Sequence, residues 1–164
     1  EASATGLHGA NRLASNSLTE ALVYGARCGR RAGESLGGAS DERPHMFNWK
    51  HEESDRTSLD LTDIRNSLRS VMWRNVGIRR DGTHLAETLD IVSFWAHYVL
   101  DKEFDDPAGW EVQNMLTSAY LVSLCALSRT ETRGVHYRDD FPTTDEKWKR
   151  HQKVMRQANG LLLE

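Results

Sequence analysis

The chain is poor in residues that staple it. It has two cysteines, Cys28 and Cys125, far apart in sequence, and no CxxC pair. At most one disulfide could form, and two buried, reduced thiols in a cytosolic protein are the expected arrangement. The His, Cys and carboxylate residues show no metal-ligand spacing, so no metal is expected. No apolar run approaches the length of a membrane span, and no secretory signal is expected. Lys and Arg number 21 against 24 Asp and Glu, a net charge of −3, which gives no global electrostatic case for nucleic acid or a membrane surface. There is no internal repeat, no low-complexity segment and no useful period-2 run, so the chain reads as all-α. A Gly-rich strand-to-helix dinucleotide fingerprint is also missing.

What remains is 164 residues, 38% hydrophobic and 27% charged, enough for one domain with a real core. Residue 1 is Glu rather than Met, and the expectation is a chain that starts inside a longer one. Apolar spacing predicts a first helix over 18–34, with Gly25 and Gly29 on one face, where small residues allow a neighbour to approach. Arg27, Arg30 and Arg31 crowd its second half, as the helix dipole favours. Residues 36–58, with Gly37, Gly38, Pro44 and mixed charge, read as a linker between domains. A second helix is predicted over 61–76 on the stripe Leu61, Ile64, Leu68, Val71 and Met72, with Asp60 near its start and Gly77 as its stop. A third runs over 83–102, capped by Thr83, burying Leu85, Leu89, Val92, Trp95, Ala96 and Val99. Pro107 suits the first turn of a fourth over 107–131, whose wide apolar face includes Val112, Leu116, Ala119 and Val122. A tail helix is expected over 145–158. Its Lys147, Lys149, Arg150, Lys153 and Arg156 read as a solvated face rather than a phosphate patch.

The opening stretch carries the chemistry. Thr5-Gly6-Leu7-His8-Gly9-Ala10-Asn11-Arg12-Leu13-Ala14-Ser15-Asn16-Ser17-Leu18 concentrates polar groups and glycines ahead of a helix start. Ser17 followed by Glu20 is a capping-box pattern. A helix N-terminus offers unpaired N–H groups and partial positive charge, which suit an electron-rich or anionic ligand.

That stretch resembles, almost without interruption, the signature of the L-aspartate oxidases within the succinate dehydrogenase/fumarate reductase flavoprotein family. Residues 71–78 resemble the family's C-terminal helical domain, and residues 132–142 a second hallmark at the end of its last bundle helix. The resemblance implies a three-helix-bundle-like C-terminal domain over 59–164, preceded over 1–35 by the last loop and helix of an FAD-binding domain. It implies FAD as cofactor, with Glu1 accepting hydrogen bonds from FAD hydroxyls and Ser17 and Leu18 meeting the flavin. The dipole end there would favour negative charge on the reduced ring. It implies Arg12 as the guanidinium that grips a substrate carboxylate, a planar fork Lys cannot reproduce.

His8 either contacts substrate or flavin or braces the loop, with bracing ahead. His136, Tyr137 and Arg138 are assigned to docking their loop onto a domain. The implied reaction is oxidation of L-aspartate to iminoaspartate, with oxygen or fumarate reoxidising the flavin. This is the first step toward quinolinate and NAD in the cytoplasm, with quinolinate synthase as a partner and neither nucleic acid nor membrane. Most of the FAD domain would lie upstream, so this segment alone is expected to be inactive. Two alternatives stand: the flavoprotein subunit of succinate dehydrogenase or fumarate reductase, which shares His8-Gly9-Ala10-Asn11-Arg12, and a stand-alone helical interaction module. The run Leu13–Ser17 and the ending His136–Pro142 favour the oxidase.

Overall fold

Aspartate caps set where the helices of the second unit begin in the computed structural model of the chain, which describes residues 4–36, 60–157 and 160–163. The chain divides into two compact units, Glu1–Lys50 and His51–Glu164. From residue 37 on, the expected linker lies outside the described residues.

In the second unit, Asp60 Oδ1 accepts from the Thr62 and Asp63 N–H groups at 2.8 and 3.2 Å and opens α2, Leu61–Val76. Asp81 accepts from His84 N–H at 3.0 Å and opens α3, Gly82–Val99. The cap is therefore Asp81, not Thr83, because Asp81 has the extended backbone from which a carboxylate can reach back to the first turn. Asp106 accepts from Ala108 N–H at 2.9 Å and opens α4, Pro107–Ser128, with the proline in the first turn as expected.

The helix ends also have local causes. Gly77 stops α2 at negative φ, so left-handed backbone is not the reason for it; a Cβ there would lie 2.3 Å from the Trp73 carbonyl oxygen. α3 ends at Val99 rather than 102. There the Gln113 side chain donates to the Val99 and Lys102 carbonyls at 3.1 and 2.9 Å. α4 ends at Ser128 rather than 131, since Arg129 turns to extended backbone. Gly134, expected to break that helix, sits beyond it in a tight turn at φ 59°.

The three helices close on one core. Ile64 and Leu68 of α2 meet Val92 and Val99 of α3 and Val112, Leu116 and Ala119 of α4. A smaller cluster of Val76, Leu85 and Ala126 continues it. Each fully buried aliphatic side chain contributes roughly 1.5–3 kcal/mol of transfer free energy. The buried stripe of α4 is Val112, Leu116, Ala119, Ser123 and Ala126, while Val122, expected inside, is 50% exposed. A polar thread lies beside the core: Asn75 donates to Thr88 Oγ1 at 3.1 Å, and Thr88 donates to the His84 carbonyl at 2.7 Å.

β1, Arg79–Arg80, pairs in parallel with β2, Tyr137–Arg138. The expected tail helix is absent. Glu146–Trp148 makes one 3-10 turn, and β3, Val154–Gln157, pairs antiparallel with β4, Gly160–Leu163. Arg129, distant in sequence, donates to the Trp148 and Arg150 carbonyls at 2.7 and 2.8 Å and holds this segment against the end of α4.

The described residues of the first unit form a loop, a 3-10 turn at Ala14–Asn16 and α1, Ser17–Leu36. α1 buries none of its residues, and a Cβ at Gly25 or Gly29 would meet nothing within 4 Å. Neither cysteine forms a disulfide. Cys28 is exposed on α1, not buried as expected, and Cys125 is half-buried. Among the described residues, no helix is long and apolar enough to cross a membrane.

Candidate functional site

The loop ahead of α1 is shaped by two glycines. Gly6 and Gly9 have φ of 82° and 53°, the left-handed region where a side chain is strained. Gly9 N–H donates to the Gly6 carbonyl at 3.3 Å, and Asn11 N–H to the His8 carbonyl at 3.2 Å. The chain therefore turns back toward α1 and delivers Arg12 there. Arg12 Nη2 donates to Ser17 Oγ at 2.9 Å. The guanidinium thus sits at the first turn of α1, beside the partial positive charge of the helix end.

Glu20 fastens the other side of the loop. The Thr5 hydroxyl donates to its Oε1, and His8 Nε2 lies 2.8 Å from its Oε2. Thr5 Oγ1 also accepts from Leu7 N–H at 3.3 Å. The Thr5 hydroxyl first, and His8 second, hold the Glu20 carboxyl below the ordinary carboxylate range. This corrects the capping-box expectation. Ser17 has helical backbone, its hydroxyl is taken by Arg12, and the carboxylate of Glu20 turns to side chains instead of a backbone N–H. The 3-10 turn ahead of α1 has Leu13 at its cap position with no side-chain cap, and Ser17 N–H donates back to the Ala14 carbonyl.

Of the expected site residues, the structure brings Arg12 and Ser17 into contact and ties His8 to Glu20. Leu18 follows Ser17 and is 79% exposed. Glu1 lies outside the described residues. The Arg12 guanidinium and the exposed Leu18 thus share the first turn of α1, one cationic and the other apolar. Among the described residues, no three His, Cys, Asp or Glu side chains converge as a metal site.

The second unit holds a separate polar cluster. Glu131, fully buried, accepts from Arg129 Nη1 at 2.8 Å, from Arg133 Nε at 2.9 Å and from Asp145 N–H at 2.9 Å. Burial pushes its carboxyl up. The bonds from Arg133, from the Asp145 backbone and from Arg129 outweigh that and hold it at about 2. Arg138, also buried, donates to the Ala126 and Leu127 carbonyls at 2.7 and 3.0 Å and to both oxygens of Asp140 at 2.7 Å. Asp140 in turn accepts from Gly82 N–H at 2.9 Å. One ion pair therefore joins the end of α4 to the start of α3. His136 lies between Arg80 Nη1, which donates to its Nδ1 at 2.9 Å, and the Arg129 carbonyl, 3.2 Å from its Nε2. The loop that carries His136 and Arg138 docks onto its own helices, while Tyr137 is exposed.

Residues 65–162 match the family described as Fumarate reductase flavoprotein C-term. Over 160 residues the chain is 35% identical to a subunit of the fumarate reductase (CoM/CoB) of Methanothermobacter marburgensis, covering 88% of this chain and 29% of that protein. It is 35% identical to the L-aspartate oxidase of Bacillus subtilis over 161 residues, 94% of this chain and 28% of that one. The Mycobacterium smegmatis Sdh1 complex in its apo form contains a chain that superposes with a TM-score of 0.75 at 27% identity, over 97% of this chain and 30% of that one. A helical module of this form is the C-terminal part of a flavoprotein. The chain belongs to the succinate dehydrogenase/fumarate reductase flavoprotein family. It spans less than a third of the length of these relatives. Membership makes FAD the cofactor of the full-length protein.

Proposed function

We propose that the full-length protein is a flavin-dependent oxidoreductase of a dicarboxylate, and specifically an L-aspartate oxidase of which this chain is the C-terminal part. On this reading residues 1–35 complete the FAD-binding domain, 36–58 link it onward, and 59–164 form the helical domain. The observation that carries the reading is Arg12, held at the first turn of α1 by Ser17, where a substrate carboxylate and a flavin ring can be served together. The L-aspartate oxidase relative at 35% identity supports aspartate as the substrate.

FAD, when bound, supplies the hydride acceptor. The Cα of L-aspartate gives up a hydride and its amine a proton, and a C=N bond forms. The electrons pass to oxygen or fumarate, and the iminoaspartate product passes to quinolinate synthase. In this scheme Arg12 binds and orients the dicarboxylate, and Ser17 and Leu18 border the ring. Arg12→Ala in the full-length enzyme removes one charged partner and costs roughly 2–5 kcal/mol of substrate binding and turnover, with bound flavin retained. Steady-state kinetics that leave this variant unchanged would show the assignment to be wrong.

A second reading has its own support. The fumarate reductase relative is as similar as the oxidase, and the Sdh1 chain shares the fold. A succinate or fumarate reaction would use the same guanidinium, so the substrate assay decides between the two.

A further inference from the structure

The geometry points to Glu20 as the positioning residue of the substrate loop: its carboxylate straps Thr5 and His8 to α1 and thereby sets where Arg12 presents its guanidinium to a dicarboxylate. This rests on the proposed dicarboxylate reading but not on the choice between aspartate and succinate.

Three observations carry it. One strap, Thr5, stands just ahead of the Gly6–Gly9 turn and the other, His8, lies within it, each on a different oxygen of Glu20. The pair is sequestered, with the His8 and Glu20 side chains 18% and 14% exposed against a helix that buries none of its residues fully. The route from the strap to Arg12 is short: the His8 carbonyl accepts from Asn11 N–H, and Arg12 follows directly and reaches Ser17. A glycine-rich turn has many backbone conformations open to it, so without a strap the guanidinium would sample positions that miss the carboxylate. With both oxygens of Glu20 occupied by loop donors, the carboxylate acts through Arg12 and touches no substrate itself.

The strap also fixes a proton. Carboxylate oxygens only accept, so His8 donates through Nε2–H. A glutamine at residue 20 can keep the same geometry by accepting from Thr5 and donating its amide N–H to Nε2. Neutral His8 would then carry its proton on Nδ1.

The test compares wild type, Glu20→Ala and Glu20→Gln in the full-length flavin-loaded enzyme. Malonate is the probe, a dicarboxylate with no two-carbon unit to dehydrogenate, and its binding is read from the flavin absorbance. KM and kcat for the substrate, hydrogen exchange of the peptide over 4–13, and the 15N signature of the His8 ring at alkaline pH are measured alongside.

Glu20→Ala is expected to raise the malonate Kd and the KM about tenfold or more, with kcat within about threefold and faster exchange in the loop. Glu20→Gln is expected to bind malonate within about threefold of wild type, while the His8 proton moves from Nε2 to Nδ1. Glu20→Ala binding malonate like wild type overturns the proposal. So does Glu20→Gln losing as much affinity as Glu20→Ala, since charge rather than strapping would then be the cause. Should Glu20→Ala fail to fold, Thr5→Val, which cuts one strap, is expected to raise the malonate Kd; an unchanged Kd there overturns the proposal. A wild-type enzyme that neither binds malonate nor oxidises any dicarboxylate overturns the functional reading itself, and is seen before any variant is made.

Discussion

Replacing Arg138 by alanine should strongly destabilise the helical unit. The side chain is 1% exposed, and its donors satisfy two carbonyls in the last turn of α4 and both oxygens of Asp140. Its removal leaves the Ala126 and Leu127 carbonyls without this donor and Asp140 without its counter-charge. A hydrogen bond to a charged group is worth roughly 1.5–3 kcal/mol, and such values do not add within one network. Only the guanidinium end of this pair is buried, so a loss of roughly 2–4 kcal/mol is expected, set by its charged bonds and the two carbonyls left unpaired. A domain this size has only about 5–15 kcal/mol in total. Asp140 is 35% exposed on its side chain, so solvent screens its share, and Asp140→Asn should cost about 1–2 kcal/mol. Arg138→Lys should recover less than half, because a single ammonium cannot span a carboxylate and two carbonyls. Urea unfolding followed by circular dichroism, with m unchanged, measures all three. An Arg138→Ala variant within about 1 kcal/mol of wild type would refute the view that this pair joins α4 to α3.

Three further outcomes follow from the same geometry. Gly77→Ala should destabilise by about 1–3 kcal/mol in thermal unfolding, since the new Cβ would lie 2.3 Å from a backbone oxygen that cannot move aside. Burial first, and the nearby Arg80, Arg138 and Arg129 charges after it, lower the His136 pKa against the opposing bond to the Arg129 carbonyl. The unfolded chain therefore takes up the proton more readily, and stability should fall as pH drops below the ordinary 6.5, an effect that His136→Gln abolishes. Glu131 is held at about 2 against an ordinary 4.5, so its contribution is complete above 4.5 and lost as pH falls toward 2. Acid unfolding of Glu131→Gln should lack that part of the profile.

Much of the helical unit is legible because its signals are local. The stripe of α2, Pro107 at the start of α4 and the stop at Gly77 each follow from residues within one or two turns. What stays hidden depends on pairs far apart in the chain. Where a tail helix was expected, the segment makes a turn and a hairpin, and Arg129, about twenty residues earlier, is bonded to its carbonyls. Ser123 takes the buried position that Val122 was expected to fill, since the stripe of α4 follows its neighbours rather than hydrophobicity alone. At the candidate site, Arg12, His8 and Ser17 follow from resemblance, and the structure adds their partners. Ser-x-x-Glu is a local pattern that suggests a backbone cap at Glu20, and nothing local shows that Thr5 and His8 reach it first. Arg138 and Asp140 stand two apart, the spacing that puts both on one face of an extended segment, and that signal is present in the sequence.

The central claim is that Arg12 at the start of α1 serves the carboxylate of L-aspartate beside a flavin. Anaerobic mixing of the full-length, FAD-loaded protein with L-aspartate or with succinate, watching the flavin absorbance, tests it most directly. Bleaching by L-aspartate that is lost in Arg12→Ala, with none by succinate, is the predicted result. Bleaching by succinate and not by L-aspartate would contradict it.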